Sequence, residues 1–199
     1  MIPEIILASA SPRRADILKK YGIEFRQLSS GAEEPGSFLA DDAAMSNARV
    51  KALDISRQNP DKIILAADTV IEFENEVIGK PEDEEDAVRI LKRLSGKTHF
   101  VTTGVCILYP PENVDILFAE VSEVTFKAVS EPVIREYISL VHVLDKAGAY
   151  ALQEHPELII ESVTGDPENV IGLPVRAVES LKYLQSLFNK ALFPIKVVT

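Results

Sequence analysis

Residues 4–14 read EIILASASPRR, an apolar run that stops abruptly at two serines, a proline and two adjacent arginines. A short, continuously apolar run bounded in this way marks a strand covered on both faces, as in a largely parallel sheet. Ser11 followed by Pro12 then makes an N-cap and first-residue pair for a helix, Ile17, Leu18 and Tyr21 supply its inner face, and Gly22 stops it. A strand that empties directly into a helix start is half of an α/β unit. It sets free N–H groups and the positive end of a helix dipole at the mouth of the sheet, where open α/β folds bind ligands. Arg13 and Arg14 fall in that first turn, electrostatically the wrong place for cations unless an anion sits among them. Two readings stand at this point: an anion is held there, or Ser11 merely caps and both arginines face solvent.

The same signature recurs at residues 63–67 (IILAA), a second buried strand. Residues 100–108 (FVTTGVCIL) and 119–129 (AEVSEVTFKAV) alternate more, which predicts antiparallel strands with one wetter face. Between them, ILYPPENVDILF carries a Pro-Pro-Glu-Asn turn, so the two form a hairpin with a long loop and the sheet is mixed. Pro81 precedes EDEEDAVRILKRLSG, whose acidic first turn and basic last turn suit a helix dipole and whose Ser95-Gly96 ends it. Further helices are predicted near 40–57, over 130–141 opened by Ser130, and over 174–189 opened by Pro174. No internal repeat, low-complexity tract or linker interrupts the chain, so residues 1–199 read as one α/β unit.

Bulk properties narrow the function. The 199 residues are 46% hydrophobic and 26% charged, ordinary for a globular protein with one sizeable core. A formal net charge of -10 and a pI near 4.9 argue against a nucleic-acid partner, which would call for a basic face, and leave room for a small anion in a local basic pocket. Cys106, the single cysteine, lies in the apolar stretch TTGVCILY and reads as a packing residue. The first residues lack a basic leader, and no apolar segment approaches the roughly 18 residues that cross a bilayer. The expectation is a cytoplasmic protein with no membrane partner.

A second constellation is ILAADTVIEFENEVIGKP at 64–81. Asp68 is expected to follow its strand at the sheet's C-terminal edge, the same edge as the arginines if the two strands are parallel neighbours. Lys80 follows a glycine a dozen residues later, the span of a short hairpin. Singly, these are a turn carboxylate and a solvated lysine. Together with Ser9, Ser11 and the arginines they are cations for phosphates and a carboxylate for a metal or a water, the parts of phosphoryl chemistry. A P-loop is absent. His99 and His142 sit in apolar sequence and His155 in Glu-His-Pro-Glu, none with metal-ligand spacing, so all three read as structural or surface residues; the acidic run 82–86 reads as a solvated helix start.

With these residues in view, the chain resembles the Maf family of nucleoside triphosphate pyrophosphatases. The likeness is carried by SASPRR at 9–14, AADTV at 66–70, GKP at 79–81, LSGKTHFVTTGV at 94–105, DKAGAYALQ at 145–153 and NVIGLPV at 169–175, in the family's order and across nearly the whole chain. The resemblance implies a long twisted mixed sheet flanked by helices, similar to the inosine triphosphatase group, with two lobes around a central cleft and assembly into homodimers. It implies hydrolysis of a nucleoside triphosphate to monophosphate and pyrophosphate with Mg²⁺ or Mn²⁺. Asp68 matches the catalytic proton acceptor; Arg13, Thr69 and Gln153 match positions tied to base selection; Ser9, Ser11, Arg14, Glu33, Lys51 and Lys80 match the remaining polar residues, Glu33 with Asp68 at the metal. Asp68 as base and Asp68 as metal ligand both stay open.

Gln153 points to the dTTP/UTP branch, because an amide answers both the O4 acceptor and the N3 donor of a uracil or thymine edge, whereas the 7-methyl-GTP branch has Glu there. The chain departs from the family pattern after Gln153, with Glu154 in place of glycine, in TGDPENVIGLP at 164–174, and in SLVHVL before Asp145. A nucleotide-binding regulatory module with weak hydrolysis is the competing class, and retention of Asp68 argues for the enzyme.

Overall fold

A computed structural model describes residues 3–33 and 40–191. The opening stretch folds as β1 (Ile5–Ala8) and α1 (Pro12–Lys20), followed by β2 (Arg26–Leu28), α2 (Ala40–Gln58), β3 (Ile63–Phe73) and β4 (Glu76–Ile78). The second half comprises α3 (Glu84–Leu94), β5 (Thr98–Tyr109), β6 (Val114–Phe126), α4 (Glu131–Leu140), α5 (Pro156–Ile159), β7 (Ile160–Thr164), α6 (Pro167–Ile171) and α7 (Val175–Ala191). All the strands belong to one mixed sheet, ordered β2-β1-β3-β5-β6-β7, with β4 folded back on β3. β1 runs parallel to β2 and β3; the β3–β5, β5–β6 and β6–β7 ladders are antiparallel.

Why β1 and the start of β3 are apolar without interruption is now visible. Ile5, Leu7, Ile63, Leu65 and Ala67 pack toward α1 and α7, and the alternate residues Ile6, Ala8, Ile64 and Ala66 pack under α2. Each fully buried Ile or Leu contributes roughly 1.5–3 kcal/mol, so both faces of this short strand pair hold helices against it. A further cluster surrounds Tyr137, Phe126 and Leu91, where α3, α4 and α5 cover the far part of the sheet.

Two glycine and alanine features set the height of α2. Its small residues Ala40, Ala44, Ala48, Ala52 and Ser56 recur every fourth position and are all buried. Beneath them, Gly104 of β5 leaves the α2 backbone so near the sheet that a Cβ added there would run into the backbone of Ala44. The helix therefore lies directly on the strands.

Several expectations need correction. Asp68 does not follow its strand: β3 continues through Asp68 and Thr69 to Phe73, because antiparallel pairing with β5 from Ile64 to Glu72 keeps the polar pair extended. The 100–108 and 119–129 segments do form a hairpin, but its loop is short; a 3-10 turn at Pro110–Glu112 with Asn113 at φ 54° suffices, and the strands are longer than predicted. The helix expected after Pro81 starts at Glu84, where the Asp83 carboxylate caps the Asp86 N–H at 2.7 Å. Strands β2 and β7 carried no separate sequence signal; the short hairpin read between Asp68 and Lys80 is β3–β4, closed by a two-residue turn in which Glu74 and Asn75 both have positive φ, the geometry that suits a tight hairpin. His142 is exposed, not apolar in its surroundings, whereas His99 is fully buried.

Candidate active site

β1 ends at Ala8 while its parallel neighbour β3 runs on, and the space vacated beside Asp68 and Thr69 opens into a cleft of about 820 Å³. Ser9, Ser11, Arg13, Arg14, Lys51, Asp68, Thr69, Lys80 and Gln153 all line it. Glu33 is exposed and is not among the lining residues; its neighbour Glu34 lies outside the described residues.

Asp68 and Thr69, consecutive on a strand, face opposite sides of the sheet. On the α2 side, Lys51 Nζ donates to Asp68 Oδ1 at 2.7 Å and Asn47 Nδ2 donates to Asp68 Oδ2 at 3.0 Å. Asn47 and Lys51 stand four residues apart on one helix face, brought down to the carboxylate by the close approach over Gly104, the residue paired with Asp68 in the ladder. Side-chain exposures of 14% for Asp68 and 16% for Lys51 mean the pair is only partly solvated, so its charges are weakly screened. Asn47 was missed in the sequence; its spacing to Lys51 was the signal that could have found it.

On the other side, Arg14 is neither a solvent-facing cation nor simply an anion ligand. Its Nε donates to Gly172 O at 2.7 Å, Nη1 to Ser9 Oγ at 3.0 Å and Nη2 to Thr69 Oγ1 at 3.1 Å. The guanidinium fork thus ties α1 to β3 and to the turn after α6. Ser9 Oγ also accepts the Ser11 N–H at 3.2 Å, so both of its lone pairs are used and its proton is left for the cleft. Ser11 holds the N-cap position by its backbone, with no capping bond from its side chain.

Arg13 reaches across the cleft mouth to Asp145 at 3.6 Å. Partial burial on its own would raise the Asp145 carboxyl; the Lys146 hydrogen bond and the charges of Lys146 and Arg13 outweigh it and hold the group below the usual carboxylate range. Lys146, 5% exposed, also donates to His142 O at 2.5 Å and pairs with Glu154 at 3.4 Å.

Residues 4–185 match the family described as Maf-like protein. The chain belongs to the Maf family. Among relatives of this Maf chain, the dTTP/UTP pyrophosphatase of Akkermansia muciniphila is 47% identical over 195 residues, 96% of this chain and 100% of that protein. The dTTP/UTP pyrophosphatases of Aquifex aeolicus and Dictyoglomus thermophilum are 42% and 40% identical, covering 92% and 91% of this chain and 95% of each relative. The solved structure of the Staphylococcus aureus Ham1 protein superposes with a TM-score of 0.50 over 94% of this chain and 99% of that one, at 15% identity, a likeness of fold.

The Maf segment DKAGAYALQ forms the wall opposite α1. Gly148, with φ near 70°, donates its N–H to Gly79 O and so joins this wall to the β4 turn that carries Lys80. Gln153 is exposed on the cleft, whereas Glu154 is drawn aside by Lys146, so the amide is the group presented to a ligand. His99 makes no contribution to the cleft: its Nε2 meets the Tyr150 hydroxyl at 2.8 Å and burial lowers its pKa to about 4. Cys106 packs in the core under α2, where burial pushes its thiol up to about 12. Among the described residues no helix is long and apolar enough to cross a membrane.

The metal implied by the family fits this donor set. Among the described residues no three acidic, His or Cys side chains converge. The Asp68 carboxylate and the buried, unpartnered Asn47 Oδ1 beside it are hard oxygens, and a Mg²⁺-type ion takes one or two protein oxygens and completes its shell with waters and substrate phosphates.

Proposed function

We propose that this Maf protein hydrolyses dTTP and UTP to the monophosphate and pyrophosphate. The observation that carries the reading is the Asp68 carboxylate held between Lys51 and Asn47 on the wall of a cleft rimmed by cations, in a chain whose relatives are named dTTP/UTP pyrophosphatases.

A triphosphate carries about four negative charges at neutral pH, and Arg13 and Lys80 at the rim with Lys51 deeper in are placed to offset them. Ser9, with its lone pairs filled, donates its proton to a phosphate oxygen, and the first turn of α1 adds N–H groups without intrahelical partners. Asp68 orients a water against the α-phosphorus and takes its proton. The water oxygen bonds phosphorus, the bridging bond to the β-phosphate breaks, and pyrophosphate leaves against the rim cations. Lys51 and Asn47 keep the carboxylate aimed while it waits. A divalent cation held by Asp68 and Asn47 would supply electrostatic stabilisation of the phosphates.

The experiment is a nucleotide panel with Mg²⁺ or Mn²⁺ in which monophosphate, diphosphate, pyrophosphate and orthophosphate are resolved. Equimolar monophosphate and pyrophosphate from dTTP and UTP is the expected outcome. Release of orthophosphate, or faster cleavage of 7-methyl-GTP, would overturn the reading.

A further inference from the structure

Thr69 lines the cleft, and the hydrogen bonds behind it fix which way its hydroxyl can point. The first of these bonds ends at the Asn169 carbonyl, in a residue with no exposed surface. The N–H of Gly172 goes to Glu168 O as in any helix, but the N–H of Leu173, which a continuing helix would direct at Asn169 O, goes to Glu168 O as well. Asn169 O instead receives Thr103 Oγ1 at 2.9 Å, and a carbonyl can only accept. Thr103 is fully buried and has a single proton, which that bond consumes.

Thr103 is the ladder partner of Thr69, and the two hydroxyl oxygens lie 3.0 Å apart. With the Thr103 proton committed, Thr69 must be the donor in this contact. Arg14 Nη2, which can only donate, occupies one Thr69 lone pair. What remains to Thr69 is one lone pair, so it can accept from a ligand and cannot donate to one. Ser9, on the same Arg14 guanidinium, is set the opposite way, with both lone pairs filled and its proton left over. The two hydroxyls therefore read different ends of a nucleotide: a phosphate oxygen suits Ser9 and is refused by Thr69, which needs an N–H.

We propose that Thr103, though it does not touch the cleft, is a positioning residue that selects uracil and thymine over cytosine by locking Thr69 as a hydrogen-bond acceptor. Uracil and thymine present N3–H, whereas cytosine presents a bare N3 lone pair at the same place. Gln153 cannot make this distinction alone, because its amide offers NH₂ or C=O by rotation and answers either base. Thr69 cannot rotate without breaking the buried bond to Thr103. A site built around a fixed polar group rejects the mismatched partner far more strongly than an adaptable one does.

This inference rests on the nucleotide reading above and is tested so that the two can fail separately. UTP and CTP are supplied together to one enzyme sample and the ratio of their cleavage is measured, so that the folded fraction cancels; binding of UMP and CMP is measured by calorimetry alongside. The wild type is expected to prefer the uracil nucleotide by at least roughly tenfold. Thr103→Val keeps the shape, frees the Thr69 proton to donate to cytosine N3, and is expected to narrow that ratio at least roughly fivefold; Thr103→Ser, which restores the hydroxyl, is expected to recover it. An unchanged ratio in Thr103→Val, or a ratio lost equally in Thr103→Ser, overturns the proposal. Should Thr103→Val fail to fold, N3-methyl-UTP on the wild type decides: cleavage as fast as UTP overturns the proposal, and rejection supports it. Absence of any hydrolysis with the uracil preference kept in binding counts against the catalytic reading and not against Thr103.

Discussion

Asp68 stands directly across the β3–β5 ladder from Gly104, and the missing side chain of the second residue is what allows the first to be reached by α2. Because a Cβ at Gly104 would meet the Ala44 backbone, α2 can rest on the sheet only while that position is bare. Asn47 and Lys51 arrive at the Asp68 carboxylate as a result. Gly104→Ala is therefore expected to lower stability by about 1–3 kcal/mol, the usual cost of overpacking, and to reduce turnover of the folded protein at least roughly tenfold as α2 lifts. Urea unfolding with parallel activity measurements checks both; an active, fully stable variant would show that the helix does not need this approach.

Asp68→Asn is expected to keep nucleotide binding within about an order of magnitude and to cut turnover by roughly 10²–10⁴, the scale of a lost general base. Lys51 then loses a partly buried partner, so a loss of stability accompanies the change. Turnover near that of the wild type in the folded variant would remove Asp68 from the chemistry.

The two arginines should separate. Arg13 makes an ion pair at 3.6 Å with a half-exposed Asp145, so Arg13→Ala is expected to change stability by under about 0.5 kcal/mol while weakening activity. Arg14 bonds Gly172 O, Ser9 and Thr69, and Arg14→Ala is expected to cost about 1–3 kcal/mol as well as activity. Thermal melts of both variants in one buffer are the comparison; equal melting temperatures would contradict it.

Burial holds His99 neutral, with a pKa of about 4 against 6.5 for a free imidazole. Between those values the unfolded chain binds the proton and the folded one refuses it, so this stabilisation is complete above about pH 6.5 and is lost as pH falls toward 4. The loss amounts to about 3 kcal/mol. Denaturant melts at pH 7.5 and 4.5 should show a steeper decline for the wild type than for His99→Gln; parallel declines would mean the imidazole is not held neutral.

Gln153→Glu replaces the exposed amide on the cleft wall by a carboxylate, which answers paired N–H donors better than an acceptor beside a donor. The preference for UTP over guanine nucleotides is expected to shrink by roughly tenfold, read from kcat/KM for each. Glu154 already carries a carboxylate next door but is held by Lys146, so Glu154→Gln should leave that preference unchanged.

The sequence by itself determined the strand-to-helix start at EIILASASPRR, because a doubly buried strand must be continuously apolar and a helix start must be capped; both are local rules. It also determined most of the polar residues of the cleft, since Ser9, Arg13, Asp68, Lys80 and Gln153 stand in motifs whose order and spacing mark the Maf family. Local rules misplaced Asp68 at a strand end, since an Asp-Thr pair reads as a terminus until a partner strand is known to hold it extended.

Only the tertiary structure decided what those side chains touch. Asn47 reaches Asp68 because a glycine some sixty residues downstream in sequence lets a helix descend, and no window on either segment contains that contact. Arg14 becomes a clamp because the Gly172 carbonyl, 158 residues away, is brought beneath it. The direction of the Thr69 hydroxyl is fixed still further off, by a buried carbonyl at Asn169 acting through Thr103. Proton positions follow from the whole set of partners around each oxygen, and that set is assembled only when β3, β5 and α6 have packed together.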